Sequence, residues 1–233
     1  MSEELEAARV IARRQIENLM ARYEYLHSAG RDGECAQLFA EQTPGVRLAI
    51  AQLGIYDGVE NVRRFFEQSG KIGPDRRGVL IVHTLTTPVI EVAGDGLTAQ
   101  GVWISPGVET VPGGHTAPAQ LEDGVWVSAE EQIDLADQGF RATWAWVRYG
   151  VDFVVEDGEW RIWRLAIHRL FTALHDQDWL DTLPRHLPPF PDELKPNRAN
   201  PHDWVFSRDA VIENVPAPPK RYETWDEARA YVR

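Results

Sequence analysis

The chain has 233 residues, a formal net charge of −12 and a single cysteine. An acidic surplus of this size excludes the basic surface that nucleic acids and anionic membranes attract, so neither is expected as a partner. No apolar run is long enough for a membrane-spanning helix, and the N-terminal MSEELEAARV lacks the apolar core of a signal peptide. The lone Cys35 cannot form an internal disulfide, which favours a cytoplasmic location.

The N-terminal part of the chain has helical patterning. Apolar side chains recur at three- and four-residue spacing over residues 3–29, which predicts one long helix that ends at Gly30. Asp32 is a suitable N-cap for a short second helix through Glu41. The apolar residues of segment 59–66 predict one face of a third helix.

Strand patterns follow the helices. Residues 79–92 alternate between two faces, with His83 on an apolar face and a break at Pro88. A Gly-Asp-Gly turn leads to a returning strand over residues 97–105. The Gly- and Pro-rich segment 106–123 predicts a long loop over a site, and residues 125–133 predict a short edge strand.

The most informative stretch is a predicted hairpin over residues 142–171. Two runs rich in β-branched and aromatic residues are joined by Asp-Gly, the strongest short-range hairpin signal. If the two strands pair without interruption from this turn, Tyr149, Arg164 and His168 share one face with apolar neighbours such as Val147. A largely apolar surface with a few polar groups is typical of a small-molecule site.

Beyond about residue 176 the chain becomes rich in proline, which excludes long regular elements. We therefore predict a folded domain over residues 1–175 and a C-terminal arm over residues 176–233. The arm is expected to pack on its own domain or on a neighbouring subunit. Its anchors would be Trp179, Trp204 and Trp225.

Three helices followed by a run of strands predict an α+β fold. Several motifs together resemble the SnoaL-like branch of the nuclear-transport-factor-2-like superfamily over residues 5–175: a helix ending in LFA, a GxYDG turn, a GDG turn and a closing RYxxxFVxEDGxWRIW hairpin. The resemblance implies a cone-shaped fold, with helices packed on a curved antiparallel sheet around a deep pocket. It also implies a homo-oligomer, either a dimer or a trimer.

The resemblance gives roles to individual residues. His83 is similar in position to a catalytic histidine of scytalone dehydratase-type members, whereas from the residues alone it could equally be a packed core histidine. Tyr149 matches a strand position that hydrogen-bonds the substrate in those members, and a cross-strand aromatic contact is the alternative reading. His27-Ser28 stands near the position of a tyrosine–aspartate pair in the family, so the acid is absent.

The remaining candidates complete the predicted site. His168 is a second acid–base candidate, and Arg164 would hold an oxyanion or a carboxylate. His115, on the predicted loop, is a further histidine that could enter the site. The predicted lining residues are Tyr23, His27, Trp103 and Val147.

These residues favour a cofactor-independent lyase acting by acid–base catalysis on a small hydroxylated aromatic compound. The reaction would be a dehydration or a retro-aldol, deformylating elimination, and a lignin-derived diarylpropane is the candidate substrate that the resemblance suggests. No cofactor is expected, and no residue spacing suggests a metal site. A non-catalytic binding module and a ketosteroid-type isomerase are the alternatives.

Overall fold

The computed structural model describes seven segments of the chain: 3–51, 53–69, 79–112, 140–180, 195–201, 206–211 and 215–233. The predicted edge strand at 125–133 lies outside the described residues. So do His115, Trp204 and most of the predicted loop. No helix in these segments is long and apolar enough to cross a membrane.

Three helices form one layer of the fold. Helix α1 spans Glu3–Ser28, α2 spans Asp32–Cys35 and continues as a 3-10 turn over Ala36–Leu38, and α3 spans Val59–Ser69. As predicted, the chain leaves α1 through Gly30, whose φ of +68° is the left-handed conformation that glycine adopts readily.

The second helical segment ends before the predicted Glu41. Phe39 is already extended, with φ −82° and ψ 156°, and it forms a parallel bridge with Ile162 of the sheet. The backbone of Phe39 therefore pairs with the sheet and cannot continue the helix.

Seven strands form a curved, unclosed sheet in the described residues. Their bounds are β1 Arg47–Ile50, β2 Gly54–Asp57, β3 Ile81–His83, β4 Thr86–Val92, β5 Thr98–Pro112, β6 Phe140–Glu156 and β7 Glu159–Leu174. The strand order is β2-β1-β7-β6-β5-β3, and β4 also pairs with β5. The predicted α+β class is confirmed.

Two details of the predicted sheet are wrong. The sheet is mixed, because β1 runs parallel to β7; the chain enters β1 from the helical layer rather than through a hairpin. Residues 106–112 are strand rather than loop. They pair with β6 throughout and also with β3 over residues 107–109, and these two ladders outweigh the low strand propensity of glycine and proline.

The central hairpin forms at the predicted turn. Asp157 and Gly158 both have positive φ, +50° and +79°, as a two-residue type I′ turn requires. The predicted pairing holds as far as Phe153 opposite Ile162. At the next step Asp152 pairs with Arg164, so β7 contains one extra residue.

The extra residue, Trp163, is a β-bulge, and it reverses the faces of the residues that follow it in β7 as far as Arg169. A second extra residue, Leu170, restores the predicted faces from Phe171 onward. Arg164 and His168 pair with Asp152 and Arg148, on the face opposite Tyr149. Their predicted placement beside Tyr149 is therefore wrong. Trp163 leaves the regular alternation because its indole N–H donates to the Pro44 carbonyl at 2.8 Å.

The two faces of the sheet have different coverings. The helices pack on the face that carries Tyr149, which we call the inner face. Residues 215–233 pack on the other, outer face. The backbone carbonyl of Tyr222 accepts a hydrogen bond from the Gly94 amide at 2.9 Å. Arg164 donates to Glu227 at 2.9 Å, and its guanidinium lies 4.3 Å from the ring of Trp163 and 5.5 Å from the ring of Trp225.

Asp152 is fully buried beneath this C-terminal segment. Its carboxylate accepts hydrogen bonds from Gln100 Nε2 at 2.8 Å and from the Tyr231 amide at 3.1 Å. Burial raises the pKa of Asp152 to about 7, although the two hydrogen bonds and the charge of Arg164 act in the opposite direction.

This raised pKa makes stability depend on pH. Folded Asp152 holds its proton up to about pH 7, whereas an unfolded aspartate loses it near pH ~4. The folded state binds the extra proton between these values, so the free energy of unfolding falls as pH rises through them. We expect this pH-dependent part of the free energy of unfolding, about 2–4 kcal/mol in all, to be absent in Asp152→Asn.

Urea denaturation of both proteins at pH 5, 6, 7 and 8 measures the difference. Asp178→Asn, at an exposed aspartate, is the control and should keep the profile of the wild type. If the free energy of unfolding changed with pH in the same way in the wild type and in Asp152→Asn, Asp152 would not be the source of the pH dependence.

Candidate functional site

Six of the predicted site residues come together where α1 packs on the inner face of the sheet. The ring of Tyr23 lies 6.2 Å from that of His27 and 6.4 Å from that of Tyr149, centroid to centroid. The His27 ring lies 6.2 Å from the His83 ring. The six residues are Tyr23, His27, His83, Trp103, Val147 and Tyr149. The other two, Arg164 and His168, lie on the outer face.

His83 is held by a carboxylate on the neighbouring strand. It ends β3 opposite Gly107, and its Nε2 lies 3.1 Å from Oε1 of Glu109 on β5. A carboxylate can only accept, so in the neutral form of the imidazole the proton lies on Nε2 and Nδ1 is left as the acceptor. Nδ1 is buried and makes no hydrogen bond. The arrangement is that of a general base oriented by an acid.

Gly107 makes this orientation possible. A Cβ built at position 107 would lie 2.3 Å from Nδ1 of His83 and 2.9 Å from the Ala145 carbonyl oxygen. The imidazole therefore crosses β5 in space that only glycine leaves open, and in this way it reaches Glu109.

His27 is paired with an acid of its own. Its Nδ1 lies 2.9 Å from Oδ1 of Asp32, which the turn at Gly30 brings back to the end of α1. Asp32 is therefore not the predicted N-cap; Arg31 occupies that position. Asp32 also supplies a carboxylate in the region where the family pattern has an acid and this chain has Ser28.

The surroundings of His27 favour its charged form. Burial opposes the imidazolium, but the hydrogen bond to Asp32 and the negative charges of Asp32, Glu24 and Glu109 outweigh it, so the pKa of His27 is raised. The two imidazoles are neighbours, and each has a carboxylate partner of its own.

Tyr149 provides a third polar group. Burial raises its pKa well above the ordinary value, and the charge of Glu24 acts in the same direction. Ser105, also buried on this face, acts weakly in the opposite direction. Tyr149 therefore stays a neutral phenol that can donate a hydrogen bond.

The sequence reading missed three acids, Glu24, Asp32 and Glu109. Glu109 was missed because its segment was assigned to a loop; continuing the predicted hairpin pairing along β5 would have brought it near His83. Glu24 lies three residues before His27 on the buried side of α1, where a polar residue is itself a signal. Across the described segments, no group of three or more histidine, cysteine or acidic side chains is placed to hold a metal ion.

The Gly107 contact can be tested directly. In Gly107→Ala we expect the His83 imidazole to rotate and lose its bond to Glu109, because the new Cβ would lie 2.3 Å from Nδ1. A crystal structure of the variant measures the Nε2–Oε1 distance. Gly33→Ala is the control, since a Cβ at position 33 meets nothing within 4 Å. An unchanged His83 rotamer in Gly107→Ala would show that glycine is not required there.

Comparison with solved structures shows the same fold in several proteins. A hexachlorocyclohexane dehydrochlorinase, LinA type 2, superposes with a TM-score of 0.54 at 12% identity over 74% of this chain and 95% of its own. The type 3 enzyme from Novosphingobium barchaimii LL02 gives 0.52 at 11% identity over 74% and 96%. A protein from Novosphingobium aromaticivorans DSM 12444 assigned as a scytalone dehydratase gives 0.50 at 15% identity over 76% and 95%.

The sequence itself carries the family assignment. No curated protein matches this chain. Residues 8–166, most of the chain, match the SnoaL-like domain, and this segment contains both histidines of the inner face together with their acids. The resemblance noted from the sequence motifs is confirmed. The chain belongs to the SnoaL-like domain family of the nuclear-transport-factor-2-like superfamily.

Proposed function

We propose that this protein is a cofactor-independent lyase that uses acid–base catalysis on a small hydroxylated aromatic compound. The observation that carries the proposal is the state of His83, which is 8% exposed, bonded through Nε2 to Glu109 and unbonded at Nδ1. A buried imidazole with one nitrogen fixed and the other free is suited to accept a proton from a substrate.

In a dehydration, Nδ1 of His83 takes the proton from a substrate C–H bond. The electron pair of that bond forms the new C=C bond, and the C–O bond on the adjacent carbon breaks. Glu109 stabilises the imidazolium that His83 becomes, as an orienting acid does in other His-containing sites. The base role assigned to His83 from the sequence remains a proposal.

The departing hydroxyl needs a proton so that it leaves as water. His27 is the group we assign to this step, because its pKa is raised and its ring lies 6.2 Å from that of His83. Tyr149, held neutral by burial, would donate a hydrogen bond to the same oxygen. His168, the other sequence candidate, lies on the outer face and has no part in this scheme.

A retro-aldol cleavage uses the same groups. His83 would take the proton of a substrate hydroxyl, the C–C bond would break to release an aldehyde such as formaldehyde, and the donor group would protonate the carbon left behind. The sequence resemblance to lyases of lignin-derived diarylpropanes supports this reaction. The names of the structural relatives, a dehydrochlorinase and a dehydratase, support elimination chemistry.

A second candidate, an isomerase of the ketosteroid type, gains support from Glu24. Glu24 is a buried carboxylate next to the Tyr149 phenol, and such a pair can move a proton between two carbons of one substrate. The two reactions differ in product mass, because an isomerase loses no fragment.

The setting of the reaction is also proposed. We expect a cytoplasmic homo-oligomer, in which the Pro-rich arm of residues 176–233 packs on its own domain or on a neighbour. The substrate is a small aromatic molecule, and the scheme names no cofactor.

Turnover without cofactor tests the proposal. Purified protein would meet hydroxylated diaryl and phenylpropanoid compounds, with product formation followed by ultraviolet absorbance and mass spectrometry. We expect a conjugated product that has lost water or formaldehyde. We expect His83→Ala to lower kcat by about 10²–10⁴, the usual contribution of a general base.

The control is His175→Ala, at an exposed histidine that stacks on Trp144, and it should keep full activity. Equal turnover by His83→Ala and the wild type would remove His83 from the mechanism. A product of unchanged mass would favour the isomerase. Aromatic binding without any turnover would favour a non-catalytic binding module.

A further inference from the structure

Glu24 is a buried acid that the proposed reaction does not use. It lies in the last turns of α1 and is only 4% exposed. Its charge raises the pKa values of His27, Tyr149 and Tyr23, which are three groups of the inner face.

The carboxylate lacks the partners that burial normally demands. Among the residues that the structure describes, neither oxygen of Glu24 has a hydrogen-bond partner of regular geometry. The Tyr149 phenol is close enough to interact, but it has a single proton to give, so it can serve only one oxygen. At least one buried oxygen therefore remains without a proton donor.

Leaving a buried charge unpaired is costly, and in native proteins such a group is usually neutralised, or it serves catalysis or holds a water, an ion or a ligand. A ligand that donates a hydrogen bond to this oxygen would remove the cost. Hydroxyl and ammonium groups both qualify. A ligand carboxylate would instead bring a second negative charge to a poorly solvated position.

The distribution of positive charge points in the same direction. Arg164 was the sequence candidate for holding an anion, but its guanidinium lies on the outer face and is paired with Glu227.

We propose that Glu24 sets substrate specificity, by accepting a hydrogen bond from a hydroxyl or ammonium group of an aromatic ligand and by rejecting ligands that carry a carboxylate there. The inference rests on the proposed function for the location of the site. It concerns recognition alone, so it can be tested without turnover.

Three probes share a phenyl ring with a two-carbon chain and differ only in the terminal group, which is a hydroxyl, an ammonium or a carboxylate. They are 2-phenylethanol, 2-phenylethylammonium and phenylacetate. Binding would be followed by shifts of backbone amide NMR signals in residues 20–32, up to tens of millimolar probe. In the wild type we expect phenylacetate to bind at least about tenfold more weakly than the alcohol or the ammonium.

The Glu24→Gln variant should narrow this difference. Glutamine keeps the shape and one acceptor oxygen but removes the charge, so the ammonium should lose about tenfold in affinity, the alcohol less, and phenylacetate should gain. Glu17→Gln is the matched control, at a glutamate of the same helix that is 38% exposed and paired with Arg14. It should leave all three affinities unchanged.

The outcomes are decisive whether or not the variant folds, because the preference of the wild type is measured on its own. Phenylacetate binding as tightly as the alcohol would overturn the proposal, as would the absence of any shift with the two donor probes. Turnover with no charge preference would leave the lyase standing without this role for Glu24. The expected preference without turnover would keep the recognition site and remove the lyase.

Discussion

The bulge at Trp163 determines what each face of the sheet contains. Because the indole bonds to the Pro44 carbonyl and packs on Trp225, β7 gains one residue relative to β6. Arg164 is thereby turned outward to the C-terminal segment, where it pairs with Glu227. The inner face keeps its imidazoles, phenols and buried acids. The contacts of Trp163 with Pro44 and Trp225 thus separate the candidate site from the C-terminal segment that covers the outer face.

On the inner face, the position of the proton on each imidazole ring depends on the carboxylate that the ring contacts. Glu109 accepts from Nε2 of His83 and frees Nδ1, while Asp32 holds the proton on His27. The two histidines differ in which ring nitrogen faces a carboxylate, Nε2 in His83 and Nδ1 in His27. This arrangement differs from the tyrosine–aspartate pair of the family pattern. Asp32 comes from the beginning of α2 instead of from the residue after His27, and it reaches the site through the turn at Gly30.

Much of the fold could be predicted because it rests on local signals. Helical spacing gave α1 almost to the residue, and the Asp-Gly turn gave the central hairpin. The bulge could not be predicted, since it depends on contacts of Trp163 with distant parts of the chain. For the same reason Arg164 and His168 were placed on the wrong face. Glu109 was hidden by the Gly and Pro residues around it, which locally favour a loop although strands on both sides hold them in the sheet.

In the proposed reaction, His83 presents an unprotonated Nδ1 to the substrate. The ¹⁵N NMR signals of its imidazole, in protein labelled at histidine and assigned by comparison with His83→Gln, test this most directly. We expect the signal of a protonated Nε2 and an unprotonated Nδ1 at neutral pH, and Glu109→Gln should weaken that preference. A proton on Nδ1 in the wild type, with Nε2 bare, would contradict the account, because the free nitrogen would then be the one that faces Glu109.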